Sequence, residues 1–233
     1  MNEGARLGLA GVVGGVVGGA VVALGGPLLG VGAASPAAVR VALASDPAMI
    51  PDAMERLRSN ERDAAVAANR QALTSPFRNA SAGNPEGDVT VVEFFDYACG
   101  FCKRSQPAVA ALLRDDPNVR LVYRELPILG EPSARAATAS LKAAATDRYR
   151  AFHDALFARG PGAIGAAADA AGLPPDRLSG QPDAAERAEV ARNLDLAQAL
   201  GVTGTPAWVI GDRVIDGAVD EAALKRAVAE ARG

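Results

Sequence analysis

Hydrophobic and polar positions divide the chain into distinct patterns. The first is unbroken: no charged residue occurs from Leu7 to Val39, and Leu7 to Leu29 is built almost wholly from Leu, Val, Ala and Gly, long enough to cross a hydrocarbon core as a helix. The second, Arg40 to Asn79, spaces Ile50, Met54, Leu57, Ala64, Ala68 and Ala72 near every third or fourth position, with Glu55, Arg56, Arg58, Glu61, Arg62 and Asp63 between them. That spacing predicts an amphipathic helix starting at Pro51 and Asp52, with a narrow, Ala-rich stripe. After a turn-forming stretch, Asn79 to Asp88, come two dense runs of β-branched and aromatic residues. Val89 to Phe95 (VTVVEFF) and Val119 to Glu125 (VRLVYRE) predict buried strands. Between them, Lys103 to Asp115 carries Val109, Leu112 and Leu113 on one helical stripe, with Pro107 as an expected kink. Strand, helix, strand predicts parallel pairing.

From Ser133 to Leu200 the pattern is helical. Ser133 is an expected cap for a helix to Ala145, and Asp147 to Ala158 repeats Tyr149, Phe152, Leu156 and Phe157 on one face. Gly160 to Gly180, broken by Pro and Gly, leaves room for one or two short helices, and Asp183 to Leu200 predicts a helix stopped at Gly201. Ala207 to Ile210 and Arg213 to Asp216 flank Gly211 and Asp212 as a two-residue β-hairpin, and Val219 to Ala231 closes the chain as an amphipathic helix. The expected organisation is therefore three parts: a signal peptide or membrane anchor at 1–39, a helical arm at 40–79, and an α/β domain at 80–233 with a helical insertion at about 133–200.

The apolar opening admits two readings. Ala33, Ala34 and Ser35 offer small residues for cleavage after a weak positive start at Arg6. The run exceeds a usual signal core, however, and Gly11, Gly15 and Gly19, overlapping Gly14 and Gly18, give the small-xxx-small spacing of close-packed membrane helices, which favours a retained inner-membrane anchor. Either one exports the remainder to a periplasmic or other extracytoplasmic space, where a cysteine pair can cycle through a disulfide. The arm's stripe is too narrow to fold alone and needs a partner surface, either the following domain or the same helix in another subunit. Its charged flanks favour the second, a homo-oligomer.

At 233 residues and 49% hydrophobic content the chain can build a good-sized core, but aromatics make up only 4%, so Phe94, Phe95, Phe101, Phe152, Phe157 and Trp208 are scarce anchors among Leu and Val. The net charge of −3, without a Lys/Arg block, gives no surface for a phosphate backbone, so nucleic acid is not an expected partner.

Candidate chemistry rests on the only two cysteines, Cys99 and Cys102, placed where a helix would begin after the first dense strand. A thiolate at a helix N-terminus is stabilised by unpaired backbone N–H groups and the positive end of the macrodipole, so Cys99 is the expected nucleophile. Cys102, one turn on, can attack the resulting mixed disulfide and release the substrate. Two cysteines and one histidine fall short of tetrahedral zinc, and a bridge across so short a loop removes little chain entropy, so a structural metal or staple accounts poorly for the pair. No cofactor is expected beyond a redox-active Cys99–Cys102 disulfide. The same two sulfurs can alternatively hold Cu(I) in near-linear geometry. His153, with no ligand or nucleophile near it in sequence, is expected to be structural or at the solvent edge. Pro206, at the mouth of the hairpin, marks an edge facing a substrate or site.

Three segments in this order, GNPEGDVTVVEFFDYACGFCK, RELPILGEPS and GVTGTPAWVIGDRVIDGAV, resemble the thioredoxin superfamily, specifically its DsbA-like branch and, within it, the suppressor-of-copper-sensitivity protein C group. The resemblance runs from about Asn84 to the C-terminus and implies a thioredoxin-like fold with an inserted helical domain. It implies that Cys99 is an exposed nucleophile, Cys102 a buried resolving thiol, and Pro206 a cis-proline opposite them. Thr205 would then present its backbone to an extended substrate peptide, with Gly100 and Phe101 on the same substrate side. Glu93, six residues before Cys99, matches a buried acid that assists proton transfer from the resolving thiol. The implied partners are cysteine-containing protein substrates, a membrane redox partner that recharges the pair, and other copies of the arm. One feature departs from the oxidising relatives: Gly100 and Phe101 stand between the cysteines, with no histidine to hold the thiolate. The expected activity is therefore disulfide reduction or isomerisation rather than primary dithiol oxidation.

Overall fold

The structure, a computed structural model, describes residues 35–233. The expected signal or anchor at residues 7–29 lies outside the described residues; among those described, no helix is long and apolar enough to cross a membrane. The described residues fall into two compact units that divide between Glu55 and Arg56. In the first, α1 (Pro36–Ser45) begins where Ser35 Oγ accepts the Ala38 N–H at 3.1 Å, and Pro36 sits where its missing N–H goes unneeded. The second helix, α2 (Met49–Thr74), starts in this unit and runs through the division.

In the second unit five strands form one sheet: β1 (Ser81–Gly83), β2 (Val89–Phe95), β3 (Val119–Glu125), β4 (Ala207–Ile210) and β5 (Arg213–Asp216), in the order β1-β3-β2-β4-β5. β2 and β3 pair in parallel, with Glu93 beside Tyr123, and the other pairs are antiparallel, with Glu93 facing Trp208 on β4. Both faces of the central strands are covered, which is why β2 and β3 read as nearly continuous hydrophobic runs. One face carries Val91, Phe95, Leu121, Tyr123 and Trp208 and packs under α3 (Gly100–Asp115), α5 (Tyr149–Arg159) and α9 (Glu221–Arg232) through Val109, Leu112, Phe152, Leu156, Leu224 and Val228. The other carries Val92, Phe94, Val122 and Val209 and packs against α2 and α8 (Ala184–Ala199). Between β3 and β4 the helical insertion comprises α4 (Glu131–Ala143), α5, α6 (Ile164–Ala171), α7 (Pro175–Leu178) and α8.

The later half of α2 lies on the sheet of its unit, and of the expected stripe Ala64, Ala68 and Ala72 only Ala72 packs there. Val66 and Leu73 are buried while Ala64 and Ala68 are exposed. The larger side chains decide this, since burying a Val or Leu stabilises by about 1.5–3 kcal/mol and an alanine methyl offers far less. Polar contacts pin the same segment: Arg62 pairs with Asp216 at 2.8 Å and Arg70 with Asp212. From β3, the fully buried Arg124 donates to the carbonyls of Ala72, Leu73 and Ser75, acceptors left without helical partners at the end of α2, and to Glu189 Oε1 of α8 at 2.6 Å. In contrast, Ile50, Met54 and Leu57 remain about half exposed.

Two local expectations are corrected. The stretch 79–88 contains β1, a strand without hydrophobic signal, held by the antiparallel ladder to β3 and by Tyr123 N–H donating to the Ala80 carbonyl at 3.0 Å. Gly83 there has φ +75°, and a Cβ would collide with the Val119 carbonyl, so glycine is required. Ser133 does not cap α4. The helix starts two residues earlier, with Gly130 at φ +97° before it and Pro132 in its first turn, leaving the Ser133 hydroxyl buried and without a partner among the described residues.

Candidate redox site

The site forms where β2 gives way to α3. The turn 96–98 reverses the chain, and the Asp96 carboxylate holds it by accepting from Ala98 N–H at 2.8 Å and, across the sheet end, from Ile128 and Leu129 N–H at 2.9 and 3.0 Å. Asp96 thus ties the loop after β3 to the loop that presents Cys99. No pattern in the sequence singles it out beyond an Asp before a helix start, a common turn former.

Cys99 is the N-cap of α3: its Sγ accepts the Cys102 N–H at 3.3 Å, so the sulfur occupies the position where a helix end favours negative charge. The same Sγ donates to the Thr205 carbonyl at 3.2 Å. Thr205 and Pro206 are joined by a cis peptide bond. Their loop is fastened by Gly217 N–H to the Pro206 carbonyl at 2.8 Å and by Trp208 Nε1 to the Gly217 carbonyl at 3.0 Å. Both cysteines are free thiols. The expectation of an exposed Cys99 is corrected: it is only 6% exposed, because the Thr205 loop covers it, although its neighbours Ala98 and Gly100 are open to solvent. Cys102 is fully buried, and burial pushes its thiol well above the usual range, with Cys99 and Glu93 adding to the rise and the Asp96 backbone opposing it.

Glu93 is wholly buried on β2. Gln106 Nε2 of α3 donates to its Oε1 at 3.3 Å, while its Oε2 has no partner among the described residues. Burial raises its carboxyl to about 8, against the opposing pull of Arg150 and Gln106. Gln106 and Arg150 also line a groove of about 310 Å³ between α3 and α5, so one side chain stands between Glu93 and that groove. Such an acid can take or give a proton near neutral pH beside a thiol. Phe101 projects outward, 55% exposed, with the Arg104 guanidinium over its ring at 4.0 Å, and Ile128 and Leu129 are exposed on the loop tied to Asp96. Gly100 has open space where a side chain would be, so packing does not demand glycine there.

His153 is not at the solvent edge. It is fully buried on α5, its Nδ1 3.0 Å from the Tyr97 hydroxyl and its ring 4.2 Å from that of Tyr123, and burial together with Arg150 keeps it neutral by holding its pKa well below the ordinary value. Glu125 on β3 accepts from Ser140 Oγ at 2.7 Å and from the Tyr149 hydroxyl at 3.3 Å, and burial raises it to about 7. Neither Tyr97 nor Glu125 stood out in the sequence, because a Tyr after a strand and a Glu at a strand end read as ordinary surface positions.

A thiol capping a helix, a second thiol one turn inside it and a Thr-Pro loop lying across the first are the features of a thioredoxin-superfamily redox site. A profile of the DSBA-like thioredoxin domain matches residues 90–229, and the chain belongs to that family, on the branch that includes ScsC. Among solved structures, a thioredoxin-like oxidoreductase from Silicibacter pomeroyi DSS-3 is 42% identical, with a TM-score of 0.65 over 70% of this chain and 98% of that one. A linker-deletion mutant of ScsC from Proteus mirabilis is 28% identical, with a TM-score of 0.71 over 86% of this chain and 98% of its own. The curated Na(+)/H(+) antiporter NhaA 1 of Salinispora arenicola (strain CNS-205) is 32% identical over 163 residues, 67% of this chain and 25% of the antiporter. The chain thus spans about a quarter of the length of the curated relatives it matches.

Proposed function

We propose that the protein is an exported thiol–disulfide oxidoreductase that reduces or isomerises disulfides in other proteins through Cys99 and Cys102. The observation that carries this reading is the placement of Cys99 Sγ, which accepts the Cys102 N–H and faces the Thr205 carbonyl. In the proposed cycle the Cys99 thiolate attacks a substrate disulfide, forming a mixed disulfide and expelling one substrate thiolate. Cys102 then loses its proton to ionised Glu93, attacks Cys99 Sγ, and releases the second substrate thiol, leaving the Cys99–Cys102 disulfide and a reduced substrate. A membrane thiol partner returns two electrons to the pair. Thr205 offers backbone groups to an extended substrate strand, and Phe101, Ile128 and Leu129 offer exposed apolar contacts around it.

The preference for reduction or isomerisation over oxidation rests on Gly100 and Phe101, which leave Cys99 without an adjacent imidazolium. Full burial of Cys102 weighs against Cu(I) capture as the principal role, since a linear site needs both thiolates at the ion. Export rests on the apolar run of residues 7–29, and self-association on the half-exposed Ile50, Met54 and Leu57. The test is equilibration of the pair against glutathione with alkylation read-out. A potential in the range of isomerases and reductases supports the reading, and one as oxidising as that of a primary dithiol oxidase overturns the assigned direction.

A further inference from the structure

Glu125, Ser140, Tyr97 and His153 form an unbroken buried chain that the exchange steps leave unused. Ser140 Oγ lies 2.7 Å from Glu125 Oε1 and 2.8 Å from the Tyr97 hydroxyl, which in turn lies 3.0 Å from His153 Nδ1. All four side chains are buried, and the two ends are open: Glu125 Oε2 and His153 Nε2 have no partner among the described residues. The chain draws its members from four places, β3, α4, the loop before Cys99 and α5.

Counting hydrogens allows the chain to run in either of two directions. Each hydroxyl has one hydrogen, a neutral imidazole has one N–H, and an ionised carboxylate only accepts. When Glu125 is ionised, Ser140 donates to it, Tyr97 donates to Ser140, and His153 must carry its hydrogen on Nδ1 to donate to Tyr97. When Glu125 is protonated on Oε1, every bond can reverse: Glu125 donates to Ser140, Ser140 to Tyr97, and Tyr97 to a bare Nδ1, with the imidazole hydrogen on Nε2. Passing from the first to the second takes up one proton. The Nδ1 hydrogen moves to Tyr97, that of Tyr97 to Ser140, that of Ser140 to Glu125, and the proton taken up from the buffer goes to Nε2.

We propose that Glu125 is a positioning residue of the redox site: through Ser140 its protonation sets the direction of the hydrogen bonds at Tyr97, which roots the loop presenting Cys99, and His153 reports that direction by its tautomer. Tyr97 is suited to transmit the change. It is held edge-on to Phe95 at 5.0 Å and against Phe157 at 4.7 Å, and in the same turn the Cys99 N–H donates to the Asp96 carbonyl at 3.0 Å. The groups facing the chain are Tyr123 and Arg124 from β3, Tyr149, Arg150 and Asp154 from α5, and Glu189 and Asn193 from α8; the Glu125 carboxylate favours the charged form of Arg124. Glu189 opposes ionisation of Glu125, Arg150 opposes protonation of His153, and Asp154 helps keep Tyr97 neutral. Asn193 donates to the Glu125 backbone carbonyl at 3.1 Å and leaves the carboxyl to Ser140 and Tyr149. With Glu125 raised to about 7, both arrangements are populated near neutral pH.

The effect on Cys99 rests on the exchange reading; the tautomer switch does not. The experiment uses the reduced full-length chain, whose single imidazole gives one unambiguous long-range ¹H–¹⁵N pattern. The Nε2–H tautomer is expected below, and the Nδ1–H tautomer above, a midpoint near 7. Ser140→Ala and Glu125→Gln are each expected to abolish that pH dependence, and also to remove a matching inflection near pH 7 from the rate of Cys99 alkylation by iodoacetamide. A tautomer that stays fixed in the unmodified protein, or that titrates unchanged in Ser140→Ala, overturns the proposal. So does a Cys99 alkylation profile identical in all three proteins. Should Glu125→Gln fail to fold, Ser140→Ala, which removes one oxygen, decides alone. Absence of disulfide exchange by the unmodified protein overturns the exchange reading, whereas a fixed tautomer overturns this one, so the two failures are distinguishable.

Discussion

Replacing Glu93 with Gln keeps the shape of the side chain but removes the ionisable group, and its consequence for stability can be worked from the site. In the unfolded chain the carboxyl titrates near 4.5; in the folded protein burial lifts it to about 8. At about 1.36 kcal/mol per tenfold change, holding the ionised form inside costs roughly 4–5 kcal/mol relative to the unfolded chain. Between these two values the native state binds a proton that the unfolded state has lost, so stability is fully present below about 4.5 and is lost as pH rises through about 8. Urea unfolding of reduced wild type and Glu93→Gln at pH 5 and pH 9 reads this directly. The variant should lose less stability over that interval, by roughly 4 kcal/mol, because the other titrating groups are common to both proteins and cancel. An equal loss in the two proteins would mean that Glu93 is not desolvated as described, and the proton-transfer role assigned to it would fall with that.

Other expectations follow from the same contacts. Cys102→Ser should leave a substrate trapped on Cys99 as a mixed disulfide, visible as an added mass that reductant removes, while Cys99→Ser should trap nothing. Phe101→His should make the pair more oxidising by on the order of 30 mV, the equivalent of about 1.4 kcal/mol for a two-electron couple, as measured against glutathione. Arg124→Met should destabilise by about 3–5 kcal/mol in thermal or urea melts, since it leaves the buried Glu189 with only the longer 3.6 Å pair to Arg192 and frees the last carbonyls of α2. The same change should expose the 62–75 segment to limited proteolysis.

The sheet and its first crossover were legible because their signals are local and strong. Val89–Phe95, Val119–Glu125 and the 207–216 hairpin have the expected bounds, and α8 starts at the expected place, where Asp183 and Glu186 cap it reciprocally. β1 was not legible, since Ser-Ala-Gly has no strand propensity and the neighbouring β3 imposes the conformation. The buried face of α2 was legible only at Ala72, for a similar reason. Alanine spacing describes a helix, but Val66 and Leu73 decide which side is buried. Around the cysteines, the pair and the Thr-Pro loop are contiguous motifs, and Cys99 Sγ does face the Thr205 carbonyl. The groups that tune the site, Asp96, Gln106, Arg150 and the Glu125–Ser140–Tyr97–His153 chain, come from separate elements and become neighbours only when the insertion packs on the sheet.

The central claim is that Cys99, at the head of α3, performs disulfide exchange on protein substrates. The most direct measurement is recovery of activity from a scrambled disulfide substrate by the full-length protein and by Cys99→Ser, at equal concentration in a glutathione buffer. Catalysed recovery is expected from the unmodified protein and recovery at the buffer-only rate from Cys99→Ser. Equal recovery by the two proteins, or no catalysis by either, would contradict it.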